Sequence, residues 1–330
     1  MKICIVKLSA MGDIIHAMVA LQFIKQKFPD AQIDWVVESS FAGVLKNNPH
    51  IDNILEVNLK SIKKKKSEIF NQYKIVKSYS KNNYDIVIDA QGLLKSAIVS
   101  KLIGAKIIAG FDKNSIREGI ASYFYDKKVS IAYDANTIER NATVICEPLG
   151  IKVTNQMIIN KDAFLFSSSH VKNLPEIFNL FVIGSTWESR NYPKEKFVKI
   201  AEALGVQTFI VWGSEEEHLK ALWMQDNSKY LHVLPRGSLD ELKYVISKCS
   251  LLIGNDTGPT HMAWGLNVPS ITIFGPTPTN RVYVTPINKV VKSDSEVNHY
   301  KLNKNDFSIQ EIESEKIVKI AKELKKYACK

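Results

Sequence analysis

Long hydrophobic runs are missing from this chain. No apolar stretch reaches the roughly 18 residues that a helix needs to cross a bilayer. The opening Met1-Lys-Ile-Cys-Ile-Val6 starts a short apolar run that Lys7, Ser9 and Asp13 interrupt. No small-residue cleavage site follows, so it reads as a first buried strand of a cytoplasmic protein rather than a signal peptide. Cysteine is scarce. The four residues Cys4, Cys146, Cys249 and Cys329 are scattered and form no C-x-x-C pair, which argues against a disulfide framework and against a zinc site. No metal or other cofactor is expected. Glycine-rich phosphate motifs are also lacking: one glycine follows the first apolar run, so neither the dinucleotide fingerprint nor a P-loop is present. The lysines have no interleaved aromatics and no RNA- or DNA-binding motif accompanies them, so nucleic acid is not an expected partner. No solenoid-type repeat is visible.

What the chain does have is length and positive charge. Its 330 residues, 45% hydrophobic and 24% charged, suit a soluble protein of two domains rather than one core. Forty-four Lys and Arg against 34 Asp and Glu give a net charge of +10, which implies an anionic partner: a nucleic acid, a phosphorylated substrate or an anionic membrane surface. The excess is uneven. Lys60, Lys63, Lys64, Lys65 and Lys66 form one cluster, and Lys325, Lys326 and Lys330 lie near the end. The first cluster fits a solvated face or a clamp for an acidic lipid or phosphate.

Short apolar runs alternate with helical patterns. Strands are expected at 3–8, 33–37, 84–89 and 106–110, with helices at 14–28 and 95–102. The pattern lapses over 153–175, where the domain linker is placed at 161–175, and then restarts. Strands are expected at 179–183, 208–212, 251–253 and 269–274. Helices are expected at 194–204, 238–247 (Ser238 and Glu241 forming a capping box) and 310–326. Alternation of this kind predicts an α/β fold with two doubly wound parallel sheets: a domain over 1–160, a second over 176–310, and a final helix over 311–330. In the second half four strands each end in a Gly/Ser/Thr/Asp loop, at 184–186, 213–217, 254–260 and 275–279. Ligands of open parallel sheets bind beyond the strands' carboxyl ends, so these loops should converge on one crevice.

Two segments carry the chemistry. In Gly254-Asn-Asp-Thr-Gly-Pro-Thr-His261, Thr257 and Thr260 can cap a helix, Gly258 lets backbone approach a ligand, and free N–H groups at that helix start attract phosphate. Asp256 either closes the turn or meets sugar hydroxyls, and His261 can donate to phosphate. In Lys7-Leu-Ser-Ala-Met-Gly-Asp13-Ile-Ile-His16, Asp13 sits where the helix dipole favours a carboxylate. It is either an ordinary N-terminal acid or a general base aimed from the first strand–helix loop. Arg117 fits either a ligand contact or a surface ion pair with Glu118.

These two segments, with Phe274-Gly-Pro-Thr-Pro-Thr-Asn-Arg281 as a third in the same order and spacing, resemble the bacterial lipopolysaccharide heptosyltransferases of glycosyltransferase family 9. The Ser-Ala-Met-Gly-Asp form is closer to the type I branch than to type II. The resemblance implies a GT-B fold, two Rossmann-like domains facing a central cleft with the last helix returning to the first. It implies inverting, metal-independent transfer of L-glycero-D-manno-heptose from ADP-heptose to the inner Kdo of Kdo2-lipid A, at the anionic cytoplasmic face of the inner membrane. Carried over by position, Asp13 is the catalytic base. Ser185 and Thr186 contact phosphate, and Arg190 stands where the family often has Lys. Glu215 and Glu216 compete for the ribose, and Asp256, Thr257, Gly258 and His261 form the donor loop. Ser9, Gly12, Lys60, Lys63, Lys64 and Arg117 fall on the acceptor side, lysines replacing the arginines expected there. The alternatives are type II or III transfer to an already heptosylated core, or a non-catalytic nucleotide- or polyanion-binding module. Asp13 and Asp256 together argue against the last, since a pure binder needs neither pair member for chemistry.

Overall fold

The computed structural model describes residues 1–327, so Cys329 and Lys330 lie outside the described residues. The chain divides into two compact units, the first Met1–Phe166 and the second from Ser167 onward. Each is a six-stranded, wholly parallel sheet. The first contains β1 (Lys2–Val6), β2 (Gln32–Glu38), β3 (Asn53–Val57), β4 (Tyr84–Asp89), β5 (Ala105–Phe111) and β6 (Lys127–Val129), in the order β3-β2-β1-β4-β5-β6. The second contains β7 (Asn179–Val182), β8 (Thr208–Val211), β9 (Leu231–Val233), β10 (Leu251–Asn255), β11 (Ser270–Phe274) and β12 (Asn288–Lys292), in the order β12-β11-β10-β7-β8-β9. Counted from its own first strand, each sheet has the doubly wound order 3-2-1-4-5-6. The direction of winding reverses between β1 and β4 in one unit and between β7 and β10 in the other, and that is where such sheets open a crevice for ligand.

The central strands are continuous apolar runs because helices cover both sheet faces. Ile3, Cys4, Ile5 and Val6 are fully buried, as are Leu252 and Ile253. Trp35 on β2 is buried too, its indole N–H donating to the Lys7 carbonyl at 3.3 Å, so the first sheet and the loop after β1 are tied directly. The 14–28 pattern begins earlier than expected and is interrupted, giving helices Met11–Met18 and Ala20–Lys27. Ser238 caps its helix as expected: its hydroxyl accepts from Glu241 N–H and the Glu241 carboxylate accepts from Ser238 N–H. The last helix, Ser314–Leu324, is shorter than expected. Its apolar stripe Ile317, Ala321 and Leu324 belongs to the second unit's core with Phe197, Ile200 and Ile271. It packs on helix Lys194–Leu204 and on β11 and β12, the single apolar stripe covering that surface.

The turn after β4 shows how tightly the carboxyl edge is built. Asp89 is buried, and its Oδ1 accepts from the Gln91 and Gly92 amides at 2.8 and 3.1 Å while Oδ2 accepts from Tyr125 hydroxyl at 2.7 Å. Gly92 has φ +68°, and a Cβ there would meet Ile116 Cγ2 at 2.6 Å. Gly92→Ala is expected to destabilise the protein by about 1–3 kcal/mol, from left-handed strain and overpacking together. Urea denaturation of the variant against the parent measures this, and an unchanged midpoint would refute it.

Candidate functional site

At the carboxyl edge of the first sheet, the loop after β1 is pinned from β4. The Gln91 side-chain oxygen accepts from both the Leu8 and Ser9 amides at 3.0 Å. The buried Lys7 ammonium donates to the Ala90 carbonyl at 2.8 Å. Burial lowers the Lys7 pKa, and the nearby Asp13 and Asp89 charges act against that fall. This loop delivers Asp13 to the third position of helix Met11–Met18, half-exposed, its Oδ2 accepting from Ala10 N–H at 3.4 Å. Ser9 and Gly12 are half-exposed beside it. Lys60 lies in the helix Leu59–Lys64 that follows β3, its ammonium 4.6 Å from the centre of the Phe41 ring. Lys63 and Lys64 are exposed further along the same helix. Arg117 is exposed and makes no ion pair among the described residues, while Glu118 instead accepts from Leu94 N–H at 2.8 Å.

Glu38, the last residue of β2, was not singled out from the sequence. It is buried at the same edge, and its Oε1 accepts no hydrogen bond. Burial pushes its carboxyl up, against the opposing charges of Lys60 and Lys95 and the Lys60 and Leu59 amides. An acid directly ending an apolar strand, Asp34-Trp-Val-Val-Glu38, is the signal that could have found it.

In the second unit, the loops after β7, β10 and β11 meet on Asp256. This carboxylate is buried. Its Oδ2 pairs with Arg190 Nη2 at 2.8 Å and accepts from the Thr277 hydroxyl at 3.0 Å, and its Oδ1 lies 3.0 Å from His261 Nε2. The same Arg190 nitrogen also donates to the Asp256 carbonyl. Burial alone would raise the Asp256 pKa, but the His261 hydrogen bond and the charges of Arg190, His261 and Arg281 hold it well below the usual carboxylate range. Thr277 and Arg281 are members of this cluster that the sequence reading carried only as parts of motifs.

Ser185 Oγ in the loop after β7 and Arg190 Nε are among the buried polar atoms beside the cluster that have no partner. Thr186 is exposed next to them. Helix Gly258–Gly265 starts here with Thr257 at its N-cap, and no side chain caps it. The Thr260 hydroxyl donates to the Asn255 carbonyl at 2.7 Å, closing the turn behind it. Uncapped amides, a guanidinium and the unpaired Ser185 hydroxyl suit an anion. Glycine makes the room: a Cβ on Gly184 would sit 2.1 Å from the Glu217 carboxyl, and one on Gly254 would sit 2.6 Å from Thr260 Oγ1.

Glu217 is the acid turned inward, accepting from Gly213 N–H at 2.6 Å. Glu215 and Glu216 are exposed on the outside of the first turn of helix Glu215–Asp226, the latter paired with Lys220 at 2.7 Å. The helix start thus separates three consecutive glutamates by direction. Among the described residues no group of three or more His, Cys, Asp or Glu side chains gathers where it could hold a metal ion.

Two doubly wound parallel-sheet units, the second with unpartnered polar groups at its winding reversal, have the architecture of the GT-B glycosyltransferases. The chain belongs to glycosyltransferase family 9 (heptosyltransferase), whose family model matches residues 72–315. It is 38% identical to lipopolysaccharide heptosyltransferase 1 of Campylobacter coli, over 98% of this chain and 99% of that protein. Among solved structures it is similar to the E. coli heptosyltransferase WaaC with ADP, at 25% identity and a TM-score of 0.83, covering 98% of this chain and 100% of that one. It is likewise similar to WaaC with ADP-2-deoxy-2-fluoro heptose, at 25% identity and a TM-score of 0.81, covering 98% and 99%.

The Asp256 cluster makes stability pH-dependent with a definite sign. A carboxylate whose native pKa is depressed contributes stability above its unfolded pKa of about 3.9, and that contribution disappears as pH falls toward the native value. Asp256→Ala leaves the largely buried Arg190 without its counter-charge, and the expected loss is about 3–5 kcal/mol at neutral pH. Below about pH 4 the difference from the parent should shrink. Urea midpoints measured from neutral pH downward check both, and a gap that widens on acidification would contradict the assignment.

Proposed function

We propose that this protein transfers L-glycero-D-manno-heptose from ADP-heptose to the inner Kdo of Kdo2-lipid A, with inversion and without a metal, at the cytoplasmic face of the inner membrane. The observation that carries the donor half is the Arg190–Asp256–His261–Thr277 cluster beside the unpartnered Ser185 hydroxyl, at a helix start no side chain caps. Arg190, Ser185, Thr186 and the Thr257 and Gly258 amides take the pyrophosphate. Asp256 holds Arg190 and His261 in place, and its Oδ1, which among the described residues meets His261 alone, keeps a lone pair for a sugar hydroxyl. Glu217 lies nearer the Gly184 and Gly213 backbone than either neighbour and is the better candidate for the ribose, ahead of Glu215 and Glu216.

The acceptor half rests on Asp13. Its carboxylate takes the proton from an acceptor hydroxyl as that oxygen forms its bond to the anomeric carbon. The bond from that carbon to the ADP oxygen breaks, and ADP departs with the electron pair. The negative charge growing on the leaving phosphate is met by Arg190, Arg281 and the helix amides, a fixed electrostatic arrangement of the kind that lowers such barriers most. Ser9, Gly12, Lys60, Lys63, Lys64 and Arg117 supply the acceptor side, cations facing an acidic sugar and phosphorylated lipid.

Asp13→Asn and Asp13→Ala should lower kcat by at least about 10²-fold, the scale of a lost general base, while ADP-heptose still binds in calorimetry. Turnover at the parent rate in either variant refutes the base. Mass spectrometry of products from Kdo2-lipid A, set against an already heptosylated acceptor, decides the acceptor. Transfer only to the heptosylated one would establish the type II or III reading.

A further inference from the structure

Two neighbouring helices of the first unit are built partly inside out. Helix Glu68–Ser78 buries Gln72, whose side-chain oxygen accepts from Asn58 N–H at 2.7 Å, yet leaves Phe70 71% exposed and Tyr73 50% exposed. It packs on helix Leu94–Ile103. There Ser96 and Ser100 are fully buried, the Ser100 hydroxyl donating to the Ser96 carbonyl, while Leu94 and Ile98 stand one turn apart and exposed. That helix packs in turn on the 3-10 segment Gly119–Phe124, where Ile120 is 66% and Tyr123 77% exposed. Six large apolar side chains on three adjoining elements therefore face outward while polar side chains face in. Scattered exposed apolar residues are ordinary, but six on three elements packed in series point to an interaction site.

Its border is cationic. Lys63, Lys64, Lys65 and Lys66 are all exposed directly before Glu68, Lys95 follows Leu94, and Lys128 Nζ lies 5.8 Å from the Tyr123 ring centre. The acids among these elements are Glu68 and Glu118, and Glu118 is occupied by Leu94 N–H. Aromatic and aliphatic side chains ringed by lysines match the chemistry of an anionic bilayer, with apolar groups at the acyl boundary and cations among headgroups. No described helix is long and apolar enough to cross a membrane.

We propose that this face, centred on Phe70, Ile98 and Tyr123, docks the protein on an anionic lipid surface. It rests on the proposed function only for its purpose, since a lipid-linked acceptor must be met at a membrane, and the test needs neither donor nor acceptor. The full chain is sedimented with vesicles of phosphatidylethanolamine and phosphatidylglycerol, and with phosphatidylcholine alone. Binding is expected to the first and not the second. The pair Phe70→Ser with Tyr123→Ser, and separately Lys65→Ser with Lys66→Ser, should each weaken binding about tenfold or more. Heptose transfer to a detergent-dispersed acceptor should stay at the parent level for the Phe70/Tyr123 pair. Circular dichroism and thermal midpoints matching the parent establish that the variants fold. Parent-like vesicle binding by either pair overturns the proposal, as does no binding by the parent. Sedimentation showing a dimer that the Phe70/Tyr123 pair dissolves would also overturn it, assigning the face to a second copy. Loss of transfer activity with vesicle binding intact would count against the catalytic reading alone.

Discussion

Every strand of a parallel sheet delivers its chain to the same edge, and both units depend on that constraint. It gathers groups far apart in sequence without any local motif. In the first unit the register Val6↔Asp89 sets the end of β1 beside the end of β4. Gln91 can then hold the Leu8 and Ser9 amides and fix the loop that presents Asp13. In the second, Val182↔Gly254 brings the Ser185 loop against the Asp256 loop. Once the winding order reverses at those strands, no helix covers the gap, and the backbone amides there are open to a ligand.

Burying Asp256 would be costly alone, because a carboxylate out of water needs counter-charge and hydrogen bonds. Arg190, His261 and Thr277 supply these on both oxygens. Arginine suits this place better than lysine: its planar fork can engage the Asp256 carboxylate and keep Nε for another acceptor, whereas an ammonium is a point charge. In the proposed reading the carboxylate acts on the donor largely through the cation it orients. The cluster also explains why Asp256 reads ambiguously from sequence. Turn closure and ligand chemistry are not alternatives when one side chain anchors the groups proposed to do the binding.

The eight interior strands were legible as apolar runs because both of their faces are covered. The four that escaped, β3, β6, β9 and β12, are the four sheet edges. Asn53-Ile-Leu-Glu-Val57 and Asn288-Lys-Val-Val-Lys292 mix polar and apolar residues because an edge strand is half in solvent, and their strand character comes from the neighbour they pair with. Similar physics governed the site. Loops announced by glycine after an apolar run were visible, including Asp13 and the Asp256 segment. Directions within a helix turn were not: among Glu215, Glu216 and Glu217 only the backbone's rotation after Ser214 selects which faces Gly213. Glu38 stayed hidden because an acid ending a strand reads as solvent-facing unless its burial is known.

The two aspartates are treated in opposite ways, and the contrast fits the work proposed for each. Asp256 is tied on both oxygens by three side chains, and protonating it would leave Arg190 without its counter-charge. Such a group holds position through a reaction. Asp13 accepts one long hydrogen bond, from Ala10, and stays half-exposed on a loop fixed from beneath by Gln91 and Lys7. A base must gain and release a proton each cycle, so it needs a rigid mounting and a carboxylate that its neighbours leave largely uncommitted. The rigidity lies in the loop and the freedom in the side chain, which is the arrangement proton transfer from a bound hydroxyl requires.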